Sequence, residues 1–249
     1  MKSPLLPTLI AAAALSAQAA DKQSADYIAH EWGTFTSLQR ADGEQIVWRP
    51  HIGADLPSFV YTHTNPDSSD EGSLAASMLA KRVQSAKQRM ETPVIYFYSA
   101  GGLTVDVEVA FPKGVNTEWY PRVSAMGPTV ALETTGKDDS RRSFIRWDNV
   151  HVLGSEADKS VRLPDDKSRS HYYAARETDS NLLRFDSRRP GDERSEFDKF
   201  LFYRGLGHFD APLKTTLNSN ETRVSIHNSG RENLTHLFLI EVRNGAIRF

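Results

Sequence analysis

The chain contains no cysteine. That removes disulfides, thiolate metal sites and cysteine nucleophiles together. It also lacks an excess of either charge: Lys and Arg number 30 against 32 Asp and Glu, a formal net charge of −2. A basic face for nucleic acid is therefore not expected. There is no HExxH, no G-x-S-x-G, no phosphate-binding or dinucleotide glycine pattern and no EF-hand loop. The familiar motif-borne routes to hydrolysis, nucleotide binding and calcium binding have no footing here. Internal repeats are missing too, which argues against a propeller or β-helix. Only one apolar run stands out, Leu5–Leu15, and it is shorter than the ~20 residues that cross a bilayer.

That run reads as an export signal. Lys2 supplies the positive start, and Ala17-Gln18-Ala19 offers a small-x-small cleavage site. The expectation is a signal peptide over 1–19, Sec-type export to the periplasm or beyond, and one β-sandwich domain over 20–249. No transmembrane segment is expected in the mature chain, which is long enough to bury a core without disulfides. Phe249 at the end raises an outer-membrane barrel. Its lipid face, counted back from Phe249, would carry Arg243 and Glu241 and be broken at Asn244-Gly245, so the barrel is rejected.

What is present is strand pattern. Leu103, Val105, Val107, Val109 and Phe111 alternate with polar residues, and Val94–Tyr98 is β-prone throughout. With Gly101-Gly102 as a turn, the two predict a hairpin pairing Tyr98 with Val105, Tyr96 with Val107 and Val94 with Val109. Asp42-Gly43 and Asn244-Gly245 are further hairpin turns. The second puts Val242 opposite Ile247, Ile240 opposite Phe249 and Glu241 opposite Arg248. Tyr27–Leu38, Thr117–Ser124, Phe197–Leu206, Thr222–His227 and Leu234–Val242 complete the strands.

Residues 136–199 hold 28 charged residues out of 64, 14 of each sign. They read as strands at three apolar islands, Phe144–Leu153, Tyr172–Ala175 and Leu182–Phe185, separated by long solvated loops. Lys159–Ser170 is expected to be a mobile loop. Apolar residues at helical spacing from Ala75 to Met90 predict one amphipathic helix, about 73–89, with Lys and Arg toward its end. The fold class expected is mainly β: an antiparallel β-sandwich with that one helix and long charged loops.

HEWGTFTS (His30–Ser37), RMETPVIYFY (Arg89–Tyr98), TEWYPR (Thr117–Arg122), ARETD (Ala175–Asp179) and FLFYRGLG (Phe200–Gly207) run across most of the mature chain. As a set they resemble a group of exported bacterial proteins that share the HEWGTFTS motif. The resemblance implies a bacterial exported protein and carries no reaction, cofactor or partner.

Three sets of residues are candidates for chemistry. The eight His residues include His30 and His171, but no spacing forces three ligands together, so no metal site and no cofactor is assigned. Glu31-Trp32 and Glu118-Trp119 place carboxylates beside indoles. Glu31 and Glu118 would have to meet across strands to act as a glycosidase pair, and exposed indole faces would suit a sugar. Buried tryptophans with solvated carboxylates are the ordinary alternative. His171, Tyr172, Arg176, Glu177 and Arg204 put charge inside β-prone runs. There an Arg either pairs structurally with an acid, the commoner case, or clamps an anionic ligand. The leading expectation is an exported protein binding carbohydrate or a small anionic ligand. The alternatives are a metal- or carboxylate-dependent hydrolase, and a structural or protein-interaction module.

Overall fold

The computed structural model describes residues 27–49, 56–62, 85–127, 143–154, 161–187, 194–220, 222–234, 237–243 and 246–248. In chain order the strands are β1 (Tyr27–Trp32), β2 (Phe35–Gln39), β3 (Gln45–Ile46), β4 (Tyr61–Thr62), β5 (Gln88–Met90) and β6 (Val94–Ser99). There follow β7 (Leu103–Phe111), β8 (Gly114–Tyr120), β9 (Ala125–Met126), β10 (Ser143–Val152), β11 (Leu183–Asp186) and β12 (Ser195–Asp198). The last are β13 (Leu201–Gly207), β14 (Leu213–Leu217), β15 (Val224–Asn228), β16 (Glu241–Arg243) and β17 (Ala246–Arg248). The helical element among the described residues is a 3-10 turn at His171–Arg176. No described helix is long and apolar enough to cross a membrane.

A large antiparallel sheet, β1-β6-β13-β5-β2-β3 with β8 and β4 beyond β13, faces a smaller one ordered β12-β11-β10-β7, with β9 on β10. The core lies between them. Ile95 and Phe97 of β6, Trp119 of β8 and Tyr203 of β13 meet Val107, Phe111, Ile145, Trp147, Val152, Leu183 and Phe185 from the smaller sheet. Trp147 is fully buried and its indole N–H donates to the Pro121 carbonyl at 2.9 Å.

The expected hairpin at Gly101-Gly102 does not form. β7 has the alternation read from the sequence, with Val107 and Phe111 inward and Asp106 and Glu108 outward, but its partner is β10. β6 pairs with β1 and β13 instead, and Ala100–Gly102 carries the chain from one sheet to the other. The reason is that β6 is apolar on both faces: Val94, Ile95, Tyr96 and Phe97 are all buried. Such a strand needs cover on both faces, which the smaller sheet gives on one and Val60, Phe200 and Tyr172 give on the other. Ile95 and Phe97, not Val94 and Tyr96, share the core with Val107. The Asn181 side chain staples the crossing. It donates to the Ser99 and Leu153 carbonyls and accepts from the Ser99 amide.

The helix expected over 73–89 lies outside the described residues up to 84. From there on the chain is extended: Ala86 bridges Trp48, and Gln88–Met90 is β5. Tyr172–Ala175 is helical 3-10 rather than a strand. Of Leu234–Val242, Glu241 and Val242 alone fall in a described strand. The Asn244-Gly245 pairing has the expected register, Glu241 opposite Arg248 and Val242 opposite Ile247; Phe249 lies outside the described residues. The Asp42-Gly43 turn joins β2 to β3. Gly43 takes a φ of +83° there, a conformation that favours glycine.

Two bulges shape the middle of the large sheet. Against unbroken β13, the neighbour β6–β5 carries one extra residue in Glu91–Pro93, where the register passes from Phe202↔Val94 to Gly205↔Met90. On the other side Thr117 is extra in β8, between Arg204↔Glu118 and Gly205↔Asn116. Bulges bend and twist a sheet, and these two lie at one level. Gly205 is wedged there, where a Cβ would stand 2.6 Å from the Phe111 ring and 2.9 Å from the Val115 carbonyl oxygen.

Candidate ligand-binding site

The outer face of the large sheet has a second apolar cluster of different make-up. Val94, Tyr96, Tyr120, Phe200 and Phe202 rise from the strands and are covered by Val60, Phe59 and Tyr172. The cover is anchored by charge. Asp198, without solvent exposure, accepts two bonds from the Arg176 guanidinium at 2.9 and 2.7 Å, and others from the Tyr172 hydroxyl and the Lys199 amide. Arg176 also donates to the Pro164 carbonyl and stands over the rings of Phe59, Tyr172 and Tyr173. Burial pushes the Asp198 carboxyl above its ordinary value, although Arg176, the amide and the hydroxyl all favour its charged form. Burial likewise drives the Tyr172 hydroxyl well above its usual value. These groups are a structural pin.

Residues 161–170 have no regular structure but are tied down. Asp166 accepts from the Ser58 and Ser168 amides and from the Tyr173 hydroxyl. Those bonds, the Tyr173 one foremost, hold its carboxyl well below the usual carboxylate range.

Between this cover and the edge strand β1 lies a pocket of about 230 Å³. Its floor is Val94, Phe200 and Phe202, and its rim carries Trp32, Thr34, Thr92 and His171. The Trp32 indole is 67% exposed, unusual for so large an apolar ring. Compared with family models, curated proteins and solved structures, the chain matches none. The site is therefore read from its own geometry.

Of the residues singled out in the sequence, Trp32, His171 and Tyr172 come together in this pocket. His30 stands on the same face of β1, its ring 5.4 Å from Tyr98. Arg176 sits behind Tyr172, occupied by Asp198. Glu177 caps the 3-10 turn at the exposed surface. Trp119 is core, 1% exposed. Glu31 turns to the opposite face and accepts from the Tyr203 hydroxyl, a residue of the inter-sheet core. Glu118 pairs in register with Arg204, whose guanidinium lies over Phe202 of the outer cluster. Glu31 and Glu118 thus sit on opposite faces, and the paired-carboxylate arrangement does not form. Arg204 is buried, donates its Nε–H to the Glu91 carbonyl at the bulge, and does not line the pocket. Among the described residues no three His, Asp or Glu side chains gather as a metal site would need.

Sequence reasoning missed the floor residues, the threonines and Asp198. A signal for Asp198 was present: an acid inside Phe197–Leu206, an otherwise apolar run, has to be paired if it is buried.

Proposed function

We propose that the protein is an exported binding module that takes a sugar ring in the pocket beside Trp32. The observation that carries this reading is the exposed Trp32 indole on the rim of an apolar pocket flanked by two threonine hydroxyls and an imidazole. An aromatic face meets the C–H surface of a sugar ring, and a few polar groups orient its hydroxyls. The volume falls below the ~300–1,000 Å³ of drug-sized pockets, which suits one ring. Export is supported by the leader read over residues 1–19.

A glycan panel followed by intrinsic fluorescence and thermal shift tests the reading. A bound sugar should quench the exposed Trp32 and raise the melting temperature. Trp32→Ala should abolish both responses while changing stability by no more than about 0.5 kcal/mol, as for other exposed substitutions. A panel with no shift, or a shift that survives Trp32→Ala, would sink the proposal.

A further inference from the structure

The Trp32 pocket is one end of a longer feature. Beyond it the outer face of β6 continues as a floor of Val94, Tyr96 and Tyr98, and β1 forms one bank with Trp32, His30 and Ile28 in turn. The 3-10 turn and the residues after it form the other bank. They are tied to the floor where the Tyr96 hydroxyl donates to the Ala175 carbonyl at 2.8 Å and the Tyr98 hydroxyl lies 3.2 Å from that of Thr178. At the far end a more open depression of about 530 Å³ lies among Tyr27, Ile28, Tyr98, Ser99 and Ala100. The tilted ring pair of His30 and Tyr98 stands between the two hollows. Trp32 and Ile28 are four residues apart on an extended strand, a separation of about 13 Å.

We propose that this groove is a cleft with two subsites for a straight, uncharged, β-linked oligosaccharide. Trp32 holds one ring and the Ile28–Tyr98 depression holds another. The inference rests on reading the Trp32 pocket as a sugar site, and extends it to the class of sugar. Three observations carry it. Neither hollow is lined by a described Lys, Arg, Asp or Glu, so the described lining favours an uncharged ligand. The groove follows one strand, which favours an extended chain over a coiled α-linked one. The floor strand β6 is paired on both sides, to β1 and to β13. It has no free backbone edge to offer a peptide laid along the floor.

Calorimetric titration of the full chain with chito-oligosaccharides of one, two and four rings tests the cleft, with malto-oligosaccharides of the same lengths as the coiled comparison. Affinity for the chito series should rise about tenfold or more from one ring to four, the size of one added ring contact. The malto series should show no such rise. Ile28→Ala, at a side chain 56% exposed, should leave one-ring affinity unchanged and remove most of the gain with length. One-ring binding with a flat length profile would overturn the cleft and leave the pocket standing. A gain that survives both Ile28→Ala and Ile28→Asp would overturn the placement of the second subsite. An equal gain for the malto series would overturn the straight-chain assignment. Failure of every sugar to bind would overturn the pocket reading and the cleft with it.

Discussion

The two faces of the large sheet are built from the same strands and do different work. Inward, Ile95, Phe97, Trp119 and Leu201 interlock with the smaller sheet, where the Trp147 indole N–H has its acceptor in the Pro121 carbonyl. Outward, the cluster is made of Tyr and Phe around a buried ion pair, with a pocket left open at its edge. Burial of plain apolar surface stabilises in proportion to area. An aromatic cover pinned by one carboxylate is held more selectively, and leaves space beside it. The inner face specifies the sandwich, and the outer face carries the candidate site.

The contrast can be broken from either side. Trp147→Ala should cost about 3–5 kcal/mol by opening a cavity in the inner core, read as a lower urea midpoint for the whole domain. Asp198→Ala should cost about 3 kcal/mol, because it strands the Arg176 guanidinium in a buried site. Replacing both partners, Asp198→Leu with Arg176→Met, should recover most of that loss in the same denaturation measurement. If Asp198→Ala proves neutral, the pin does not hold the cover.

Acid should loosen the outer cover before the inner core. Asp166 has a carboxyl held below its ordinary 3.8 by bonds made in the folded chain. Its contribution is present above that ordinary value and is lost as pH falls below it and through the folded value. Amide protection at Ser58 and Ser168 should therefore hold down to about pH 4 and fall as the pH is lowered further, while strand amides of β6 and β10 keep theirs. Asp106→Ala should have the smallest effect, less than about 1 kcal/mol in thermal denaturation. It removes an exposed acceptor for the Asn149 amide and nothing from the core.

The strands were legible because alternation is local: β7, β10 and the register of β16 on β17 follow from side-chain period and turn chemistry alone. Partner choice was not. Whether Val94–Ser99 turns back on Leu103–Phe111 or crosses between sheets depends on what covers its second face. That cover comes from Val60, Tyr172 and Phe200, far along the chain. The site was half legible for the same reason. Trp32, His171 and Tyr172 carry visible chemistry, whereas a pocket floor of Val94 and Phe202 looks like any core. Arg176 was read as part of a strand, and its partner Asp198 is 22 residues away.

The bulges flanking β13 make strand length itself a constraint. β13 keeps its phase from end to end, while each neighbour changes phase once at the level of Arg204. Each bulge takes up one residue: without Thr117 the pairs Arg204↔Glu118, Gly205↔Asn116 and Leu206↔Val115 would follow in regular alternation, and Val115 and Asn116 would keep their faces. Shortening Glu91–Pro93 by one residue would likewise leave Phe202↔Val94 and Gly205↔Met90 in phase and keep Met90 against the core. A residue gained or lost elsewhere in these strands would instead send the part beyond it to the opposite face.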